Sequence, residues 1–304
     1  MGLSERLTET AGRRNTGVRA LVPWWAKIAI KSAAARVPVP RRWWRRLGLF
    51  APGEMRDPSY AIRVFDAHHA LAGAPPPGFT WLEIGPGDSV ASAVIAWTRG
   101  AAEGWLADAR PLATMDIGVY RSLVAALAEK PSVRDARALA DVADVSTLLR
   151  RSQARYLTEG LASLRAVPDA SVDFVFSQAV LEHVPLRLVD DTLRELFRIQ
   201  RPGGRGSHRV DFRDHLQNSL HNLRFSEAIW EQPWFAARGN FYTNRLRLSQ
   251  IVDRVRAAGF VVTVVDRNVF PSLPLPRRAL APMFRDLSDA DLLTSGAGLV
   301  WTRP

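Results

Sequence analysis

The chain has 304 residues, 47% of them apolar, and no cysteine, so it can bury a sizeable core, while disulfides, thiolate nucleophiles and cysteine-type zinc sites are excluded by count. No run approaches the roughly 18 apolar residues of a spanning helix, and Met1–Arg6 lacks the apolar segment of a secretion signal, so a cytoplasmic protein is expected. The formal charge of +11 would suggest a nucleic-acid partner, but residues 1–50 alone hold nine Arg and two Lys against Glu5 and Glu9, and almost none of the excess is left for the remainder.

That basic arm also carries Trp24, Trp25, Trp43 and Trp44. Tryptophan beside Lys and Arg suits a boundary between an apolar phase and water, because the ring buries while the charges snorkel. Three readings stand: an arm packed on its own domain, a peripheral membrane contact through residues 1–50, and, least favoured, nucleic acid. A helix is expected over Ser59–Leu71, with His68 and His69 as cap or surface groups because adjacent helical residues point in different directions. Pro75-Pro76-Pro77-Gly78 then separates a helical basic amino-terminal region, residues 1–78, from residues 79–304.

Beyond it, strands and helices alternate as in a parallel sheet. Strands are expected at Thr80–Ile84, Gly104–Ala107, Arg155–Thr158, Val172–Ser177, Ser207–Phe212, Phe260–Val265 and Leu299–Thr302. Helices are expected at Val90–Thr98, Tyr120–Ala128, Ala138–Arg151, Leu186–Gln200 (stopped by Pro202-Gly203-Gly204) and Leu246–Ala258. The fold class is therefore α/β, a Rossmann-like, mostly parallel sheet with helices on both faces.

The first strand runs into Glu83-Ile84-Gly85-Pro86-Gly87. Glycines at a strand-to-helix turn let backbone approach a nucleotide-like ligand closely. A dinucleotide fingerprint needs a third glycine where Val90 stands, and Glu83 would repel a pyrophosphate but suits a ligand carrying an ammonium group, such as S-adenosyl-L-methionine. Asp108 lies 21 residues beyond Gly87, near the interval at which an acid after the second strand meets ribose hydroxyls.

These residues resemble the class I S-adenosylmethionine-dependent methyltransferase family, whose first motif is an acid, any residue, then Gly-x-Gly. Further matches are Val167–Ser177, Val180-Leu181-Glu182-His183-Val184 and Arg201-Pro202-Gly203-Gly204, in the family's order; Ser89 replaces its usual last glycine in the first loop. The resemblance covers roughly Phe79 to the carboxyl terminus. It implies cofactor contacts from Glu83, Gly85, Gly87 and Asp108, adenine contacts near Gly160 and Leu161, and Ser177 and Gln178 facing the cofactor's methionine or methyl group.

Glu182-His183 also resembles the Glu-x-x-Glu-His segment of quinone-pathway O-methyltransferases, but the first Glu is Ala179 here, so no metal is expected. A polar cluster over Ser207–His215 offers Asp211, Asp214 and His215 beyond the end of a strand, where ligands sit in such sheets. The same acids could instead pair with Arg209 and Arg213. Aromatics at Trp230, Trp234, Phe235, Phe241 and Tyr242 mark an insertion near 216–245 that caps the substrate or forms extra core. The candidate catalytic groups are His183, Asp211 and His215, and the expected reaction is O-methylation of a small-molecule, sugar or lipid-linked acceptor. A nicotinamide oxidoreductase and a non-catalytic cofactor-binding or membrane-docking module are the rivals.

Overall fold

The computed structural model describes residues 23–28, 54–232 and 241–304; Trp43, Trp44, Trp234 and Phe235 lie outside them. The elements that position the site are helix α1 (Pro58–Leu71), β1 (Thr80–Ile84), α2 (Ala91–Thr98), β2 (Glu103–Ala107), α3 (Ile117–Ala128), α4 (Val145–Arg151), β3 (Ala154–Leu157), α5 (Leu161–Arg165) and β4 (Val172–Gln178). They continue with α6 (Val189–Ile199), β5 (Gln200–Asp211), α7 (Glu227–Trp230), α8 (Leu248–Ala257), β6 (Val261–Val269) and β7 (Thr294–Thr302). The seven strands form one sheet in the order β3-β2-β1-β4-β5-β7-β6. The first five are parallel, and β7 runs antiparallel between β5 and β6.

Period-two alternation divides the core between the two faces. Trp81, Leu106, Phe174 and Phe176 face α1 to α4, while Leu82, Trp105, Val175 and Trp301 face α5, α6 and α8. Two strand glycines make room for indoles: a Cβ at Gly104 or at Gly206 would lie 2.1 Å from the ring of Trp81 or Trp301 respectively. Successive strands run outward from β1 on one side and from β4 on the other, so the sheet order reverses between β1 and β4. Ligands sit beyond the carboxyl ends of strands at such a switch point.

Three expectations are corrected. The helix expected over Ala138–Arg151 is a short 3-10 turn (Ala136–Leu139) followed by α4, because the Asp144 side chain accepts the Thr147 N–H and starts a new helix there. Pro202-Gly203-Gly204 does not separate helix from strand but lies within β5, where the pairing to β4 shifts register between Val172 and Phe174; Pro and Gly are tolerated in a strand at such an irregularity. His68 is neither a cap nor a surface group: it is fully buried in α1 against Phe176. Helix α1, started by Asp57 accepting the Tyr60 N–H at 2.9 Å with Pro58 in its first turn, packs Ala61, Val64 and Phe65 into the same apolar cluster as the sheet.

Residues 24–28 form one helical turn docked on the insertion. Trp24 stacks on His221 with centroids 5.2 Å apart, and Lys27 donates to the Leu216 carbonyl at 2.8 Å. The insertion has a small core of Leu216, Trp230 and Phe241, against which Trp24 and Ile28 pack. For these residues the arm packs on its own domain. None of the helices in the described residues is long and apolar enough to cross a membrane.

Candidate active site

The turn from β1 to α2 carries the first half of the site. Gly85 and Gly87 have φ of 65° and 68°, in the left-handed region that favours glycine. They serve different ends. A Cβ on Gly85 would come within 2.6 Å of the Val180 side chain, whereas one on Gly87 would meet only the Gly85 carbonyl at 4.0 Å. Gly85 lets the segment after β4 close onto the loop, and Gly87 leaves backbone open to the crevice. Ser89 is buried, and its hydroxyl accepts the Ala91 N–H at 3.1 Å, serving the start of α2.

Asp108 follows β2, the parallel neighbour of β1, so the 21-residue interval returns the chain to the level of the loop. Its carboxylate accepts the Gly87 N–H at 3.1 Å and the Ala109 N–H at 2.6 Å, and its own carbonyl accepts the Gly160 N–H at 2.9 Å. Burial pushes the Asp108 carboxyl upward, opposed by those backbone donors. Glu83 is 2% exposed, and its Oε2 has no hydrogen-bond partner. Burial pushes its carboxyl up to about 8, with the Ser92 hydroxyl opposing and Asp108 adding to the rise. Glu83, Gly85, Gly87, Asp108 and Gly160 thus come together at the carboxyl ends of β1 to β3.

Leu161, Ser177 and Gln178 divide. Leu161 packs against the apolar cluster of α5, α6 and α8. Ser177, expected to face the cofactor, is fully buried, and its Oγ lies 2.8 Å from Nδ1 of His208 on β5. Alternation puts it on the opposite face from Gln178, so both could not look the same way. Gln178 faces α1, where its Oε1 accepts from Nε2 of His68 at 2.9 Å. Burial pushes His68 down to about 4, so the ring is neutral at ordinary pH.

The second half lies beyond β4 and β5. His183 sits on the 3-10 turn Leu181–His183, and its Nδ1 is 2.9 Å from the Tyr242 carbonyl. A carbonyl only accepts, so Nδ1 carries the hydrogen, and neutral His183 has a bare Nε2. Nε2 of His215 lies 3.0 Å from that atom, with the rings stacked at 4.8 Å, so His215 is the donor. Asn244 fixes the turn from the insertion side, donating its backbone N–H to the Glu182 carbonyl and its side-chain amide to the Leu181 and Val184 carbonyls.

Asp211 is held at both oxygens by the Arg213 guanidinium (2.9 and 2.8 Å), the salt-bridged arrangement weighed from sequence. Asp214 is a loop organiser, accepting the N–H groups of Leu216, Gln217, Ser219 and His221. Arg209 pairs with neither acid but with Asp266 and Asn268 on β6, in a contact almost entirely shut off from solvent. Glu182, weighed from sequence together with His183, is buried beside Asp211: its Oε1 accepts the Asp211 N–H, its Oε2 has no hydrogen-bond partner, and burial holds it well above the carboxylate range.

The donor set fits a nucleoside ligand that carries a cation: an acid beside a half-buried glycine backbone, and a buried carboxyl with an orphaned oxygen. Residues 119–207 match the family model described as a methyltransferase domain. That match, over part of the chain, supports the S-adenosylmethionine-dependent methyltransferase reading. No curated protein matches it. Similar solved structures include phosphoethanolamine N-methyltransferase 2 of Haemonchus contortus, at 15% identity over 79% of this chain and 52% of that one, with a TM-score of 0.45. They also include the arsenic(III) methyltransferase of Chlamydomonas reinhardtii (15%, 75% and 65%, TM-score 0.43) and the YcgJ protein of Bacillus subtilis (15%, 78% and 99%, TM-score 0.42). Likenesses of this degree assign no acceptor.

Sequence reasoning missed Tyr120 of α3, whose hydroxyl accepts the Val90 N–H at 3.1 Å and donates to the Thr114 carbonyl at 2.9 Å, tying the loop after β1 to the segment before α3. It named Tyr242 only as one aromatic of the insertion, whereas the residue contributes its carbonyl to His183 and its hydroxyl to the Leu186 N–H and the Glu231 carboxylate. Neither residue carries a local motif. Each acts through a partner distant in sequence.

Proposed function

We propose that this chain is an S-adenosylmethionine-dependent methyltransferase that methylates a hydroxyl oxygen of a small-molecule, sugar or lipid-linked acceptor, with the His183–His215 pair receiving the acceptor's proton. The observation that carries this reading is the 3.0 Å contact between the two Nε2 atoms, with His183 anchored through Nδ1. Bound S-adenosylmethionine supplies an activated methyl group on a sulfonium. The protein's part is to hold the nucleophile in line, exclude water and take a proton.

Glu83, the Gly85–Gly87 loop, Asp108, Gly160 and Gln178 are the residues proposed to hold the cofactor. The neutral histidine pair owns one hydrogen between its facing nitrogens, donated by His215 to the bare Nε2 of His183. A proton taken from the acceptor at Nδ1 of His215 leaves the pair singly charged, with the facing nitrogens still joined by one hydrogen bond. Asp211 favours that charge on His183, against the burial that otherwise lowers its basicity. Tied to Arg213, Asp211 is assigned an electrostatic role rather than that of the base.

A screen of hydroxylated acceptors with isotopically labelled donor tests the reading. With an acceptor found, His183→Ala and His215→Ala are expected to keep cofactor affinity, and at least one should lose roughly 10²–10⁴-fold in turnover. Full activity in both would refute the assigned base. Cofactor binding without turnover on any acceptor would favour a non-catalytic module. A peripheral membrane contact is a second reading, favoured by Trp25, which is 61% exposed while neighbouring Trp24 is docked. A nucleic-acid acceptor is disfavoured because the positive excess is confined to residues 1–50.

A further inference from the structure

Helix α1 places one polar side chain deep in an otherwise apolar face. His68 is fully buried, with Phe176 at 5.2 Å and two polar neighbours: Gln178 Oε1 at 2.9 Å from its Nε2, and Ser207 Oγ at 2.8 Å from its Nδ1. A carboxamide oxygen only accepts, so Nε2 carries the hydrogen and Nδ1 accepts from the serine hydroxyl. Both ring nitrogens are thereby used, and the tautomer is fixed. The chain spends a buried imidazole on orienting one amide.

That amide stands at the carboxyl end of β4, beside the strand that runs into the glycine loop. Glu83 pairs with Phe176 across the β1–β4 ladder, and two further steps in the same register bring Gln178 level with Gly85. Alternation puts Gln178 on the face of Phe174 and Phe176, the same face as Trp81 and Glu83. With Oε1 turned inward to His68, the part of the Gln178 amide that remains for a ligand is its pair of N–H donors. Near it lies a buried carboxyl with an orphaned oxygen, Glu83. An acid and an amide N–H pair on one face, at the ends of neighbouring strands, match the two ends of an α-amino acid: ammonium to Glu83, carboxylate to Gln178.

With Glu83 and Gln178 read as the contacts to the amino-acid portion of S-adenosylmethionine, we propose that His68 is a positioning residue that keeps the Gln178 N–H groups aimed at its carboxylate. This rests on the reading of the glycine loop as the cofactor site. It also gives α1, which precedes the first strand, a part in binding without touching the ligand.

Two ligands separate the possibilities by calorimetric titration: S-adenosylhomocysteine, which carries the amino acid, and 5′-methylthioadenosine, which lacks it. His68→Ala is expected to weaken S-adenosylhomocysteine on the order of tenfold, the loss of a hydrogen bond to a charged group, and to leave methylthioadenosine unchanged. Gln178→Ala should do the same, and the double variant should be no worse than either single one. His68→Gln, which can still donate to Oε1, should recover part of the loss. Equal weakening of both ligands, or additive losses in the double variant, would overturn the proposal in favour of a merely structural histidine. If His68→Ala fails to fold, Gln178→Glu carries the test. It keeps the acceptor for His68 and removes the N–H donors, so selective loss of S-adenosylhomocysteine supports the proposal and unchanged binding overturns it. If neither ligand binds the wild type, the cofactor reading itself fails and this inference falls with it.

Discussion

Binding of S-adenosylmethionine should release a proton from Glu83. In the free protein this carboxyl is 2% exposed and pushed up to about 8 by burial, so at pH 7 roughly nine-tenths of molecules hold it neutral. An ammonium group beside it favours the charged form and returns the carboxyl toward its ordinary range. About 0.9 proton should then leave per ligand bound at pH 7. Affinity should rise up to about tenfold per pH unit from near 5, levelling off near 8, where the ligand's own α-amino group begins to lose its proton.

The stability of the ligand-free protein should move the opposite way. The folded value lies above the unfolded one, so this group's stabilisation is complete below the unfolded value of 4.5 and is lost as pH rises toward 8. Calorimetry in two buffers of different ionisation enthalpy counts the protons, and denaturant melts across the same range read the stability. Glu83→Gln should abolish both the proton release and most of the pH dependence. Proton release near zero, with affinity flat between pH 6 and 8, would refute the assignment of Glu83 to the ammonium.

Asp108→Ala removes the acceptor for the Gly87 and Ala109 N–H groups as well as the expected ribose contact, so S-adenosylmethionine affinity should fall by at least about tenfold in a titration while the fold is kept; unchanged affinity would remove Asp108 from the site. Arg209→Ala leaves Asp266 without its guanidinium partner in a contact almost closed to solvent, and urea unfolding should show a loss of about 3–5 kcal/mol; a loss below about 1 kcal/mol would contradict the buried pair. Docked on His221 and Phe225, Trp24 should lower the melting temperature when changed to Ala, whereas Trp25→Ala should leave it unaltered. If the arm also meets anionic membrane, liposome co-sedimentation should need anionic lipid, fall with salt and drop with Trp25→Ala; no sedimentation at low salt rules that contact out.

Much of the candidate site's arrangement was legible because it is local to strand ends. Glu83, Gly85 and Gly87 occupy one turn, and Asp108 follows from the geometry of adjacent parallel strands. Ser177 was misplaced against a rule already in hand, since it shares a face with Val175 and Gln178 does not. His68 was misread for a different reason. Adjacent helical residues do point apart, but which direction meets the sheet depends on how α1 lies across Phe174 and Phe176, and no spacing within α1 reports that. The meeting of His183 with His215 was anticipated only as a shared neighbourhood, because it depends on the loop that Asp214 folds. The Asp266 partner of Arg209 lies 57 residues away on the edge strand, where nearer acids made the more natural guess.

The most direct test of the account is a competition titration of the wild-type protein with S-adenosylmethionine and a reduced nicotinamide dinucleotide. The account predicts saturable one-to-one binding of S-adenosylmethionine, lost or strongly weakened by Asp108→Ala and undisturbed by excess dinucleotide. Tight binding of the dinucleotide, or S-adenosylmethionine affinity that does not depend on Asp108, would contradict it.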